Sequence, residues 1–203
     1  MVEKLASDSY KSIAKQSKGI YKELGSKFLS FAYPVNTEEE IKLIISELRK
    51  EYFDARHHCY AYRLGPEGEI WRANDDGEPS FSAGKPIYGQ ILSNELSDIL
   101  IVVVRYFGGT KLGIPGLIRA YKSAASDAIA NSGIVEKITM CSVRFKFDYS
   151  ITEPVMKLIK NWNAEVKNQL FDNECSIEVN VRKGESAGFL QSLEEIKGVE
   201  IIL

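Results

Sequence analysis

Ile99-Leu100-Ile101-Val102-Val103-Val104 is the longest apolar run of the chain, and Arg105-Tyr106-Phe107-Gly108-Gly109-Thr110-Lys111-Leu112-Gly113-Ile114-Pro115-Gly116 follows it directly. Uninterrupted and mostly β-branched, the run reads as a strand covered on both faces, the centre of a sheet. The glycines then turn the chain. Leu117, Ile118, Tyr121, Ala124, Ala125 and Ala128 recur at helical spacing, which predicts a helix over 116–131 with those residues on its buried side. In α/β units, a strand that feeds a glycine-rich turn and a helix start is where backbone N–H groups are offered to ligands.

Upstream, a polar helix or arm is expected first, followed by strands over 19–24 and 27–33 across Gly25-Ser26. Thr37-Glu38-Glu39-Glu40 is a capping-box sequence, and Ile41, Ile44, Ile45 and Leu48 lie on one face of the helix it starts. A hairpin of 57–64 and 69–73 turns at 65–68, and a polar loop over 74–85 leads into a helix from Pro86. Downstream, a strand over 139–147 precedes a helix capped by Thr152 and carrying Val155, Met156, Ile159 and Trp162. Strands over 164–171 and 175–181 joined at Asp172-Asn173-Glu174, a helix over 186–197 ended by Gly198, and a strand over 199–203 complete the order βαββαβ. That is the ferredoxin-like arrangement. The expected fold class is therefore α+β in two domains, an α/β domain over 1–137 and a ferredoxin-like domain over 138–203.

Composition narrows the function. The 203 residues are 44% hydrophobic and 27% charged, which excludes disorder as a description of the whole chain. Lys and Arg number 26 against 28 Asp and Glu, a formal charge of −2, so nucleic acid cannot be coated by bulk charge and any basic site must be local. Cys59, Cys141 and Cys175 are widely spaced and form no CxxC, so neither a disulfide framework nor a structural zinc site is expected. With no signal-peptide core and no long apolar stretch, a cytoplasmic protein that neither spans a membrane nor is secreted is the reading.

A local basic site is present. Between Asp98 and Asp127 there is no acid, whereas Arg105, Lys111, Arg119 and Lys122 all fall inside. A helix beginning at Gly116 puts Arg119 and Lys122 in its first two turns, where cations cost from a few tenths up to about 1 kcal/mol. Ile114 supplies no cap, so an external anion would relieve both costs; water at the helix start is the plainer alternative. Gly108, Gly109 and Gly113 are the candidate cradle. Gly108 to Gly113 has Walker spacing, but Ile114 stands where lysine is required and GxGxxG is absent, so P-loop ATP hydrolysis is excluded.

Arg56, His57 and His58 precede Cys59. In a strand, His57 and Cys59 share one face and His58 takes the other, which argues against joint metal ligation or a Cys-His dyad. A buried strand cysteine is also commoner than a nucleophile. Asp75, Asp76 and Glu78 put three carboxylates in one loop, a candidate Mg²⁺ or acid/base site, against the weightier alternative of an Asp-Gly turn paired with neighbouring cations.

Four ordered stretches, Gly25-Ser26-Lys27-Phe28, Asp54 through Arg63, Asp75-Asp76-Gly77-Glu78-Pro79-Ser80 and Arg105 through Gly113, together closely resemble the YigZ/IMPACT family. Phe81-Ser82 and Ile114-Pro115 depart from its usual pattern. The resemblance implies a first domain similar to the fold shared by the second domain of a small-subunit ribosomal protein and the fourth domain of elongation factor G, with a tail like that factor's last domain. Eukaryotic relatives regulate translation under amino-acid starvation through an additional RWD domain, which is not expected in this chain. For bacterial members the resemblance implies association with RNA or the ribosome. The resulting expectation is a non-catalytic, translation-associated regulator without cofactor or metal. It binds RNA, the ribosome or a translation-related protein through Arg105, Lys111, Arg119 and Lys122, with Arg56, His57 and His58 nearby. The rivals are an enzyme acting on a phosphorylated small molecule through Asp75, Asp76 or Glu78, and a protein-interaction module.

Overall fold

The computed structural model describes residues 8–172 and 175–202. Asn173 and Glu174 of the expected turn, Leu203, and the first seven residues of the expected polar helix or arm lie outside the described residues. The chain divides into two compact units, 10–137 and 138–203, the latter together with Asp8 and Ser9 among the described residues.

In the first unit, strands β2 (Ser17–Glu23), β3 (Ser26–Pro34), β4 (His57–Leu64), β5 (Ile70–Asn74) and β6 (Ile99–Tyr106) form a sheet in the order β2-β3-β6-β4-β5. Every pairing in it is antiparallel. The long apolar run is its central strand, and all six residues are fully buried. Helix α1 (Glu38–Glu51) covers one face through Ile41 and Leu48, which pack with Leu100, Val102 and Val104. Helices α2 (Gly84–Ser93) and α3 (Gly113–Ser132) cover the other through Ile87, Ile91, Leu117, Tyr121 and Ala124, which pack with Ile99, Ile101 and Val103. At α1 Thr37 Oγ1 accepts from Glu40 N at 3.2 Å, the first half of the expected capping box, while Glu40 Oε2 reaches one residue further back and accepts from Asn36 N at 2.9 Å.

Three expectations change. The residues before Gly19 hold a strand, β1 (Ser9–Ile13), rather than the expected polar helix or arm; its partner is β7 (Ile134–Ile138) in a two-stranded sheet. Backbone pairing fixes these segments, so the hydrophobic pattern is too weak to announce them. Helix α3 begins at Gly113, three residues early, because Pro115 is tolerated in a first turn whose N–H groups lack intrahelical partners anyway. Ile118 is 38% exposed, off the buried stripe that Leu117 and Tyr121 define.

In the second unit, β8 (Met140–Phe147), α4 (Thr152–Asn161), β9 (Glu165–Leu170), β10 (Cys175–Arg182), α5 (Ser186–Glu194) and β11 (Val199–Ile202) follow the order βαββαβ. The sheet order is β11-β8-β10-β9, with antiparallel pairings. Val143, Phe145 and Phe147 alternate onto one face and pack with Val155, Ile159, Ile177, Val179, Phe189 and Leu193 in a separate core. The helix is entered differently from expectation. A 3-10 turn over Tyr149–Ile151 precedes α4, Asp148 Oδ1 accepts from Ser150 N at 2.9 Å, and the Thr152 hydroxyl donates back to Tyr149 O at 2.6 Å. Helix α5 stops three residues short of the expected Lys197.

Because this core is self-contained, residues 138–203 expressed alone are expected to fold, losing the backbone hydrogen bond from Thr139 N to Asp8 O (2.6 Å). Dispersed amide NMR signals would bear this out; a collapsed spectrum would show that the excised core is insufficient.

Candidate functional site

The end of β6 and the turn after it are held by glycine packing. The β2–β3 hairpin turns through Leu24 and Gly25, both at positive φ (46° and 78°). It lies so close that a Cβ on Gly108 would collide with the backbone of Gly25 and Ser26. Ser26 Oγ accepts from Gly108 N at 3.2 Å. Gly109 reaches φ 89° in open space and Gly113 φ 67° at the head of α3, conformations that side chains disfavour. Gly108 is thus a close-packing residue, while Gly109 and Gly113 shape the loop.

Beside this loop lies a pocket of about 640 Å³, lined by Arg56, His57, Glu78, Arg105, Phe107 and Lys111, among other residues. Asp54, Leu112, Gly113, Ile114 and Leu117 complete its walls with Pro79 and Tyr106. The start of α3 opens into it with no side-chain cap and no acid in the first turn. Backbone N–H groups there favour an anion.

Strand alternation puts Arg105 on the face of Ile101 and Val103, toward α3, so its guanidinium is buried at 8% exposure. Glu78 meets it there, Oε1 lying 2.6 Å from Arg105 Nη1, with its side chain only 4% exposed. The same carboxylate oxygen accepts from the Tyr121 hydroxyl at 2.8 Å, and Tyr121 lies 3.3 Å from Cys59 Sγ. Burial pushes the Cys59 thiol well above its ordinary pKa, which disfavours the thiolate that a nucleophile needs.

The other two carboxylates of the acidic loop build the fold. Asp75 Oδ1 accepts from Ala83 N and Gly84 N at 3.0 and 2.8 Å, and its Oδ2 accepts from Phe81 N at 2.8 Å, capping α2. Asp76 Oδ2 accepts from His58 N at 2.6 Å while its Oδ1 pairs with Arg49 at 2.6 Å. Asp76 and Gly77, both at positive φ, form the turn closed by Glu78 N to Asp75 O at 2.9 Å. This is the Asp-Gly turn with paired cations. Among the described residues, no three His, Cys, Asp or Glu side chains are grouped to hold a metal ion.

The pocket therefore brings together Arg56, His57, Arg105, Lys111 and Gly113, with Glu78 as Arg105's partner. It leaves out several expected members. Arg119 pairs with Glu23 at 3.1 Å, since the acid missing from its own stretch is supplied by β2. With α3 starting at Gly113, Arg119 and Lys122 sit beyond its first turn, and Lys122 lines a separate depression with Gln90, Ser123 and Asp127. His58 is 3% exposed on the α1 face of β4 and cannot meet a pocket ligand. Sequence reasoning missed Tyr121 and the Arg105–Glu78 pair; the alternation of β6 carried the signal for Arg105.

The profile of the Impact N-terminal domain matches residues 24–129. The chain belongs to the IMPACT family. The IMPACT family member YvyE of Bacillus subtilis (strain 168) is 33% identical over 171 residues, covering 84% of this chain and 79% of that protein. The family member YigZ of Escherichia coli (strain K12) is 30% identical over 145 residues, 70% of this chain and 71% of its own. The Protein IMPACT homolog of Dictyostelium discoideum is 34% identical over 124 residues, 59% of this chain and 35% of its own. A crystal structure of a hypothetical protein superposes with a TM-score of 0.75 at 25% identity, covering 96% of this chain and 97% of that one. Every pocket residue lies inside the Impact match. Among the described residues, no helix is long and apolar enough to cross a membrane.

His58 gives this IMPACT-family chain a pH dependence. Burial lowers its pKa below the ordinary 6.5, and the nearby Arg49 lowers it further against the opposing pull of Asp76. The unfolded chain therefore takes up the proton first, so stability is complete above pH 6.5 and falls as pH drops below it. Thermal melts between pH 7.5 and 5.5 should show a shallower loss of Tm for His58→Gln than for the wild type. Equal slopes would place the titration elsewhere.

Proposed function

We propose that the protein is a cytoplasmic, non-catalytic regulator of translation that binds RNA, free or within the ribosome, through the pocket beside the glycine-rich loop. The reading keeps the two fold likenesses drawn from the sequence, an elongation-factor-G-type first domain and a ferredoxin-like second domain. The observation that carries it is the convergence of Arg56, Arg105 and Lys111 on one pocket with the uncapped start of α3 and the exposed ring of Phe107. Cations and N–H groups suit phosphate, and an exposed ring suits an unstacked base.

The rival small-molecule enzyme gains from the pocket, which joins the glycine loop to Glu78. It loses its base, because Asp75 caps α2, Asp76 pairs with Arg49 and Glu78 pairs with Arg105. Titrating labelled single-stranded RNA against the full chain at several salt concentrations tests the proposal. Arg105 is held by Glu78, so the two unpaired cations, Arg56 and Lys111, set a log–log slope of about −1.4 on single strands. Co-sedimentation with ribosomes should weaken in parallel. RNA that fails to bind even at low salt would overturn it.

A further inference from the structure

We infer that the pocket takes a terminal phosphomonoester carried on a nucleoside, the phosphorylated end of an RNA chain or a free nucleotide, in preference to an internal phosphodiester. The inference rests on the reading of the pocket as a phosphate site and adds which phosphate.

Depth is the first observation. The floor is made by side chains almost wholly removed from water: Arg105 at 8% exposure, Glu78 at 4% and Leu117 at 5%. The rim is exposed, with Phe107 at 60% and Ile114 at 52% alongside Arg56 and Lys111. A concavity of about 640 Å³ falls within the roughly 300–1,000 Å³ of small-molecule sites. A space of this size accommodates the phosphorylated nucleoside at a chain end.

The second observation is an incomplete hydrogen-bond set on a buried charge. Arg105 Nη1 is taken by Glu78, but its Nε is buried without an acceptor. A buried guanidinium that leaves donors unused carries a penalty that a further anion in the pocket offsets electrostatically. Charge is the third. Arg56, Arg105 and Lys111 face Asp54 and Glu78, and Asp54 already accepts from the Tyr106 hydroxyl at 2.7 Å. The start of α3 adds about half a positive charge. The resulting excess matches the roughly −1.5 to −2 of a phosphomonoester better than the single charge of a diester.

His57 completes the set. Its Nδ1 lies 2.8 Å from the Asp76 carbonyl oxygen, which can only accept, so the ring proton is on Nδ1 and Nε2 is left over. Nε2 can accept from a protonated monoester, whose second pKa is near 6. With the phosphate at Lys111 and His57, the ring of Phe107 at the rim is the surface on which the attached base stacks.

Fluorescence anisotropy on the full chain tests this with one ten-nucleotide RNA in three forms: 5′-phosphate, 5′-hydroxyl and 3′-phosphate. AMP and inorganic phosphate serve as competitors. An RNA with a phosphorylated end should bind about tenfold or more tighter than its hydroxyl-ended twin, and AMP should displace it better than inorganic phosphate. The 5′- and 3′-phosphate arms decide which end is read. Lys111→Ala should erase the preference while leaving the melting temperature unchanged. Equal, salt-dependent binding of all three RNAs overturns the inference and leaves RNA binding standing. Binding of AMP with no binding of RNA sustains the monoester site and overturns the RNA reading. No binding of either overturns both.

Discussion

Replacing Glu78 with Ala is expected to cost about 3–5 kcal/mol of folding stability, the loss found when one partner of a buried ion pair is removed. Both side chains are under a tenth exposed, so solvent does little to screen the Arg105 charge left behind. Tyr121 loses its acceptor in the same step, and its hydroxyl is left deep in the core among Phe28, Cys59 and Ala124. The penalty belongs to the orphaned groups rather than to the pair itself. Glu78→Leu combined with Arg105→Met should therefore recover most of the loss, since a well-packed apolar pair of similar volume is often no less stable than a buried ion pair. Urea denaturation of the two single variants and the double variant measures the coupling. A Glu78→Ala protein within about 1 kcal/mol of the wild type would mean that Arg105 finds water or another acid, and that the pocket floor differs from the one described.

Much of the first unit was legible because its elements are locally consistent. The run from Ile99 to Val104 had to be a central strand, and Thr37 with Glu40 had to start a helix. Pairings between distant segments were not legible. Glu78 reaches Arg105 across 27 residues and Glu23 reaches Arg119 across 96, so a stretch that reads as uniformly basic is neutralised in part by acids from elsewhere. Alternation along β6 could have turned Arg105 inward, since it shares parity with Ile101 and Val103. Lys122 looked like a neighbour of Arg119 because they are three apart, but each such step climbs the helix by about 4.5 Å, away from the loop at its start. The acidic loop was read more soundly: Asp76 pairs with Arg49, as an Asp-Gly turn beside basic residues suggested. Nothing in the sequence indicated that Asp75 would cap α2, because the amides it serves come six to nine residues later.

The geometry divides the cations of the expected patch into two sets with opposite consequences. Arg56 and Lys111 line the pocket and their side chains are free of any described acid, so reversing both should lower RNA affinity by more than about tenfold at low salt, as two phosphate contacts become two repulsions. Arg119 is already neutralised by Glu23, and Lys122 lies in a different depression beside Asp127. Reversing those two should change affinity by no more than about twofold to threefold through long-range charge, which salt screens. All four residues are exposed, so neither double variant should unfold the protein. The most direct measurement is a side-by-side RNA titration of the wild type, Arg56→Glu with Lys111→Glu, and Arg119→Glu with Lys122→Glu, at matched low salt and with thermal melts on the same samples. A loss confined to the Arg56 and Lys111 pair is the predicted result. A loss confined to Arg119 and Lys122, or equal to it in both variants, would contradict the pocket and return the binding surface to the exposed face of α3.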